Sequence, residues 1–589
     1  MHLITISDLK THKKGVTNLI IDDRLSLSSS KFLNAEIDYK VGKPYGLDAD
    51  SYKDYLFKKK LTDKLFPIVV KNLNLHHKTR YDDRFWKIII GFWFDKYLNV
   101  IINRVGVIEK CFLDFQISST SRFKLDKNVL IKDDLTSFKN ACDEELWNHF
   151  IYHKIIEILN FDIDEEIINE KLEIVKIPLK QTKKKIIKDF IYQIFFNVLN
   201  LFSRRTDGLI INSYLSKFYE AKLTLALGQI PLFHRTKNFK TSKKEDFLLR
   251  NSLSEKLDEH NNESCNVENI ARKLLFQVIP ICYLEGFSEM VLEVNKLPWP
   301  AEPRFIFTSN SFHSDELFKL WVAIKTHQGA KYFVGQHGNN YGTSKFLNPS
   351  IEEDTSDVFL TWGWSMNAKE IPAFAFNLLG KNYKFDPDGG LLLVQDMMYQ
   401  KDTTWDGASH FSRYIENLFL LVKGLNSKTK NDLTVRIHKY SSGFDFCENR
   451  WNKFDNSVKI DKGVQSILKK YNESRLVIHS YDSTGFLETL SQNIPTLVLL
   501  NYGSYGSIGL DHLRESAIPH YKLLIDAGII HLSAESLSDK VNEIYDNVDI
   551  WWNQELIQSA RRAFCDQYVQ MPKSPIKDLK NLIKYKKLI

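Results

Sequence analysis

The six cysteines (Cys111, Cys142, Cys265, Cys282, Cys447, Cys565) lie far apart in a chain of 589 residues, and no two form a CxxC pair. That argues against a disulfide framework or a zinc site and fits a reducing compartment. The start, MHLITISDLKTHKKG, has no apolar core of signal-peptide length. The most apolar run, Phe190 to Phe202, is short and broken by Gln193, Asn197 and Asn200, so it reads as a buried helix rather than a membrane span. A cytoplasmic protein is the expectation, with a peripheral contact at the inner face of the membrane left open by a basic tail. Other absences concern chemistry. There is no DxD pair at a strand end, no HExxH and no Cys/His cluster, so no metal site is expected. GxGxxG and GxxxxGK[ST] are missing too, so neither an NAD enzyme nor a P-loop kinase is supported. The net charge of +7 is small for this length and argues against a dedicated nucleic-acid binder.

The chain is too long for one hydrophobic core. Its apolar share of 43% and charged share of 26% are those of a folded soluble protein. Aromatics are spread over the whole length, which favours deep cores over one binding strip. Asn18 to Ile21 gives a weak strand signal before a serine-rich turn, Ser26 to Ser30. Residues 45–110 read as helical, with Asp50 or Ser51 as a cap and an aromatic-rich segment, Phe85 to Val100, apolar nearly all round and therefore buried. Tyr81, Asp83, Arg84 and Trp86 read as a salt-bridged helix start, with an acceptor role as the rarer reading. Residues 141–160 make another helix, and Lys171 to Lys188 is a basic, solvated stretch. Gly208 to Asn212 is a strand followed by a helix ending near Gly228. Residues 235–266 are polar and read as a long mobile excursion. Residues 267–295 are helical, with Glu285 on an apolar face.

From Arg304 onward the rhythm is β-α-β: strands at Arg304–Thr308, Lys331–Val334 and Val358–Thr361, with a helix at Asp315–Lys325. Such a rhythm implies a parallel sheet with right-handed crossovers. A turn cluster at Phe385 to Gly390 marks a hinge. A second series follows, with strands near 391–395, 433–438, 476–479 and 496–500 and helices near 409–424, 463–470, 485–491, 535–547 and 553–569. The expected organisation is an acceptor-side α/β domain with helical insertions over 1–384, a nucleotide-sugar domain over 385–570 and a basic tail over 571–589. Two facing Rossmann-like domains would bring strand ends from both halves to one cleft.

The stretch KYFVGQHGNNY, Lys331 to Tyr341, runs a buried strand into a polar, glycine-containing turn. Open α/β sheets bind ligands at that edge. His337 is the residue there that exchanges a proton near neutral pH, with Gln336 and Asn339 beside it as catalytic candidates. Opposite it, HSYDSTGFLE leaves a strand and opens a helix. Ser480, Asp482, Ser483, Thr484 and Gly485 can form a phosphate site with the helix amides, and Glu488 can accept ribose hydroxyls. The plain alternative is an N-cap with a capping-box partner. Arg436, His438 and Lys439 end a strand and can neutralise a phosphate or a sugar carboxylate. Ser309, Asn310, His313 and Tyr341 are the acceptor-side candidates, although Ser314 or Asp315 there can equally be a helix cap.

These residues also carry a resemblance. QHGNNYG, YGLDAD, YDDRFW, TDGLIINSYLS with LGQIP, and HSYDSTGFLETLSQNIPTLVLLN are similar to a family of transferases from bacterial O-antigen and surface-polysaccharide gene regions. More distantly, strand–QHG–polar turn and strand–ST–helix–IP–strand resemble GT-B enzymes such as capsule Kdo transferases and teichoic-acid glycerophosphotransferases. The resemblance implies that His337-Gly338 carries the base and that Ser483 and Thr484 bind donor phosphate. The teichoic enzymes favour Trp before His-Gly, where Gln336 stands here, so donor type stays open. The expected function is a metal-independent GT-B glycosyltransferase with no cofactor. It would move a sugar from a nucleotide donor, first a CMP-linked acid such as Kdo or a nonulosonate, to a glycan or lipid-linked glycan of a surface polysaccharide. A nucleotide-sugar 2-epimerase and a non-catalytic assembly scaffold are the rivals.

Overall fold

The structure is a computed structural model that describes residues 1–21, 38–43, 45–46, 51–124, 129–169, 199–235, 238–258, 265–397, 403–405, 407–438, 445–501 and 508–585. The serine-rich turn at 26–30, residues 47–50, the basic stretch 171–188, most of the apolar run 190–202, Lys439 and the last residues of the tail lie outside them.

Strands form three sheets, and every pairing is parallel. The first holds β1 (His2–Ile4), β2 (Asn18–Ile20), β3 (Tyr39–Val41), β4 (Ser119–Phe123) and β5 (Asp164–Ile168), in the order β3-β2-β1-β4-β5. The second holds β6 (Leu209–Ile210), β7 (Phe305–Thr308), β8 (Lys331–Gly335), β9 (Val358–Thr361) and β10 (Glu370–Pro372), side by side in chain order. The third holds β11 (Gly390–Val394), β12 (Leu433–Arg436), β13 (Lys459–Asp461), β14 (Ser474–His479), β15 (Thr496–Leu499) and β16 (Ile530–His531). Its order, β13-β12-β11-β14-β15-β16, is the doubly wound 3-2-1-4-5-6 arrangement, with its direction reversing between β11 and β14. The α/β class and the parallel β-α-β series expected from the sequence are present. The first sheet goes further than the weak strand signals near the start.

Strands such as FIFT, VFLT and TLVL are buried at every position, as parallel strands covered on both faces must be. A helix from Asp83 to Asp114 runs through the middle, its start capped by Asp82, whose carboxylate accepts the Phe85 N–H at 2.8 Å. It is buried nearly all round and packs on helices Ser51–His77, Asn266–Val278 and Glu316–His327. Arg84 pairs with Asp357 and donates to the Thr355 carbonyl, which is the helix-start reading of YDDR rather than an acceptor contact.

Four elements differ from the sequence expectation. The stretch 267–295 is two helices, Asn266–Val278 and Phe287–Val294, separated by Pro280 and a short turn at Ile281–Tyr283. The helix at 141–160 is two helices, Leu135–Asp143 and Glu145–Leu159, because Glu144 is extended between them. The excursion 235–266 contains a helix, Phe247–Asp258, packed on Asn266–Val278. Its buried face is Arg250, Leu253 and Leu257, and Arg250 meets Glu285 at 2.7 Å. The helix placed at 463–470 begins only at Ile467, after Gly463 turns the chain at φ 71°. The tail forms a helix, Pro575–Tyr585, that crosses back onto Lys217–Ala226 and buries Leu579 and Ile583 in the core of the second sheet. Among the described residues no helix is long and apolar enough to cross a membrane.

Candidate functional site

The turn after β8 is built by side chains that hold one another. Gln336 is buried and spends every polar atom. Its amide nitrogen donates to the Gly338 carbonyl at 2.8 Å, and its oxygen accepts from the Trp362 backbone and the Trp364 indole at 2.9 and 2.8 Å. Gln336 therefore shapes the turn from inside. Gly342, at φ 73°, lies so close to Trp364 that a Cβ would stand 2.3 Å from its ring. The chain bends there because only glycine fits.

This scaffold presents His337, half-buried, among the rings of Phe312, Tyr341 and Tyr214 at centroid distances of 5.6, 5.3 and 6.0 Å. Burial lowers its imidazole to about 4, so it is neutral at neutral pH. Tyr341 donates its hydroxyl hydrogen to the buried carboxylate of Glu352 in a short hydrogen bond. The same oxygen lies 3.2 Å from His337 Nδ1 and so accepts from Nδ1–H. That leaves Nε2 as the basic nitrogen. Among the described residues Nε2 has no hydrogen-bond partner. Burial also raises Glu352 above the usual carboxylate range.

The second part is a cavity of about 440 Å³ at the carboxyl edge of the third sheet. It is walled by the segments after β11, β12 and β14, with Gln395, Arg436, His438, Tyr481, Ser483, Gly485 and Glu488 among its residues. This is where the strand order reverses, the place at which doubly wound sheets bind ligands. Gln395 is 2% exposed, and its oxygen accepts from the Trp451 indole at 2.7 Å. Among the described residues its amide Nε2 has no partner. A buried donor of this kind is costly unless something in the cavity accepts from it. Arg436 lines the cavity but is already paired, with Asp461 and the Gln465 carbonyl, each at 2.7 Å. Glu488 is raised by burial and accepts from Asn377 at 2.8 Å. Gly485 lets the Thr484–Ser491 helix start close: a Cβ there would stand 2.8 Å from the Tyr471 hydroxyl and 2.9 Å from the His479 ring.

The two parts touch. The Asn339 N–H donates to Thr484 Oγ1 at 3.1 Å, and the Asn339 amide donates to Asp482 at 2.6 Å. Asp482 also accepts from Tyr521 at 2.9 Å and lies 3.0 Å from His512 Nε2. Asn339 and Asp482 thus join the two halves. Ser483 caps its helix by accepting the Phe486 N–H, and Ser480 donates to the Val394 carbonyl at 2.7 Å. On the acceptor side, Ser309 is buried and bonded to the Ser213 carbonyl, while Asn310 is exposed. His313 stacks at an angle on Phe92, close enough to His337 for the two charges to oppose each other, and burial lowers it to about 3.

Gln395, Tyr481, Asn377 and Glu352 escaped the sequence reading. Glu352 stands inside a run of acids at a helix start, and nothing in that run distinguishes it from Glu353 or Asp354. Gln395 is the last residue of a strand signal with no motif around it. Among the described residues no group of three or more His, Cys, Asp or Glu is placed to hold a metal ion.

Residues 34–583 match the model of a family described as LIC12162 family transferase. No curated protein matches the chain. Among solved structures it is similar to a variant of the wall teichoic acid polymerase TagF, at 11% identity over 49% of this chain and 74% of that one, with a TM-score of 0.29. It is also similar to Acinetobacter baumannii MurG, at 12% identity over 51% and 78%, TM-score 0.31. The spinosyn rhamnosyltransferase SpnG matches at 12% identity over 64% of this chain and 100% of that one, TM-score 0.31.

Proposed function

We propose that this chain, which belongs to the LIC12162 family of transferases, is a GT-B-type glycosyltransferase with its donor in the cavity at the third sheet and its base at His337. The observation that carries the reading is the contact of the His337 turn with the helix start that borders the cavity, through Asn339 and Thr484 at 3.1 Å. Base and donor phosphate then face one cleft, as transfer requires.

In this scheme Nε2 of His337 takes the proton of an acceptor hydroxyl. The hydroxyl oxygen bonds to the anomeric carbon of the donor sugar. The bond from that carbon to the phosphate oxygen breaks, and the nucleotide leaves with the electron pair. Gln395 Nε2 and the first amides of the Thr484–Ser491 helix supply the donors that meet the phosphate, and Glu488 accepts from the ribose. The transfer is proposed to run without a metal ion. A CMP-linked acidic sugar is the first donor to test, because Arg436 and His438 line the cavity. The pairing of Arg436 with Asp461 leaves less free positive charge than the sequence suggests, so UDP- and GDP-sugars belong in the same test. The acceptor is proposed to be a surface glycan, free or lipid-linked.

Thermal-shift measurement with CMP, CDP, UDP, UMP and GDP, with and without EDTA, tests this. The expected result is a rise in melting temperature with one nucleotide class that is insensitive to EDTA. No shift with any nucleotide would remove the donor site and favour a non-catalytic scaffold.

A further inference from the structure

A second cavity, of about 600 Å³, lies outside both parts of the site described above. Its walls come from the loop after β6 and the start of the Lys217–Ala226 helix on one side, and from the linker that precedes β11 on the other. The loop carries Tyr214 and the helix Phe218 and Tyr219; the linker carries Asn377, Gly380 and Lys381.

Four observations make this more than a surface hollow. The loop after β6 is held in an unusual backbone, with Asn212 at φ 45° and Tyr214 at φ 61°, both without glycine's freedom. Strain of this kind persists where the surrounding structure needs a side chain aimed in one direction. Here it aims Tyr214, which lines the cavity with one part and meets the His337 ring edge-on at 6.0 Å with another. On the facing wall, Gly380 at φ 75° leaves room for the ring of Tyr219: a Cβ there would stand 2.6 Å from Tyr219 Cε2. Asn377 separates this cavity from the donor cavity. Its amide nitrogen donates to Glu488, while its carbonyl oxygen is buried and has no partner among the described residues. Such an oxygen wants a donor from whatever fills the cavity.

We propose that this cavity receives a sugar ring of the acceptor, placing its hydroxyl at His337, a step that rests on the transfer reading above. The walls match a pyranose in kind. Tyr219 and Phe218 offer aromatic faces to the C–H face of a ring. Asn377 Oδ1 and the Ser216 hydroxyl meet its hydroxyls, and Tyr214 closes the end that leads to the base. A lipid chain would leave Asn377 Oδ1 unpaired in an apolar contact, which is why the ring, and not a lipid tail, is the occupant assigned.

Saturation-transfer NMR on the full chain tests this with methyl glycosides of glucose, galactose, rhamnose and N-acetylglucosamine, and with dodecanol as the apolar probe. At least one glycoside should give a signal on its ring C–H protons. Tyr219→Ala should weaken that binding by about tenfold, the worth of one stacked aromatic, while leaving the nucleotide-induced thermal shift unchanged. A conservative Tyr219→Phe should restore it. Signals unaffected by Tyr219→Ala, no signal with any glycoside, or binding of dodecanol alone would each overturn the proposal. Failure here is distinguishable from failure of the donor reading. A nucleotide shift without a glycoside signal defeats only the acceptor cavity, and a glycoside signal without a nucleotide shift defeats only the donor site.

Discussion

At His337 the direction of two hydrogen bonds decides what can be measured. Tyr341 gives its hydrogen to Glu352 and takes one from Nδ1–H, so the imidazole is held as the tautomer with a free Nε2. Replacing His337 by Ala should lower turnover by roughly 10²–10⁴ with nucleotide binding retained, the range for a lost general base. Tyr341→Phe keeps the ring packed and removes only the oxygen. A loss of about fivefold is expected, since one hydrogen bond is worth about 1 kcal/mol. The pH dependence gives the sign. Burial holds the imidazole at about 4 rather than its ordinary 6.5, and the protonated ring is no base. Activity should therefore hold as pH falls through 6.5 and be lost only near the lower value; a limb at the ordinary value would place His337 in solvent and out of this role. His337 was visible in the sequence because a strand, two glycines and one titratable residue are neighbours in the chain. The tasks of Gln336 and Asn339 were not, because their partners, Trp362, Trp364 and Asp482, come from other strands and loops. Residue type told that these polar groups mattered to the turn, but not which atoms they hold.

Among the elements, the Pro575–Tyr585 helix shows how an amphipathic pattern leaves two options open until its partner is known. Its apolar stripe fits a membrane surface as well as a protein groove, and the sequence reading kept both. Leu579 and Ile583 are buried beside Leu223 and Leu227, so the stripe is satisfied within the molecule. Leu579→Ala should cost about 2–5 kcal/mol, as for other fully buried leucines, read from the midpoint of urea unfolding. A change near zero would mean that the helix is not docked in solution. The Phe247–Asp258 helix was missed for the opposite reason. Its inward face has two leucines and an arginine, and a buried Arg250 answered by Glu285 leaves almost no hydrophobic signal. Beyond the Asn18–Ile20 strand, which the sequence did signal, the first sheet escaped for a third reason. Its strands are short or polar, SerThrSerArgPhe in β4 and AspGluGluIleIle in β5, and such segments become strands only through partners far off in the chain. Runs like β15, apolar and introduced by Pro495, needed no such help.

For the whole molecule, the question is what fixes one half against the other, since the proposed base in one sheet can serve the proposed donor cavity on another only if their separation is set. A buried carboxylate does this. Asp482, 1% exposed, receives Asn339 from the second sheet and Tyr521 from its own half, with His512 beside it. Ser344 bridges to Leu513, and Arg514 donates to the Ser344 carbonyl at 2.9 Å, so the seam continues beyond the site. Asn339→Ala removes the side chain that, among the described residues, reaches Asp482 from the second sheet, while Tyr521 and His512 remain beside it. Folding should survive with a modest loss of stability, and nucleotide affinity should not change, because the donor cavity is untouched. Turnover should fall, because the His337 turn is no longer pinned over the helix start. Asp482→Asn disturbs the same bond from the other side. In a double-mutant cycle the two changes should therefore be non-additive, with a coupling of about 0.5–3 kcal/mol. Normal turnover in Asn339→Ala, or additive effects in the cycle, would mean that the seam at Ser344 and Arg514 sets the separation alone. A fall in turnover at unchanged nucleotide affinity would locate the fault between the halves, since neither base nor donor cavity has been altered.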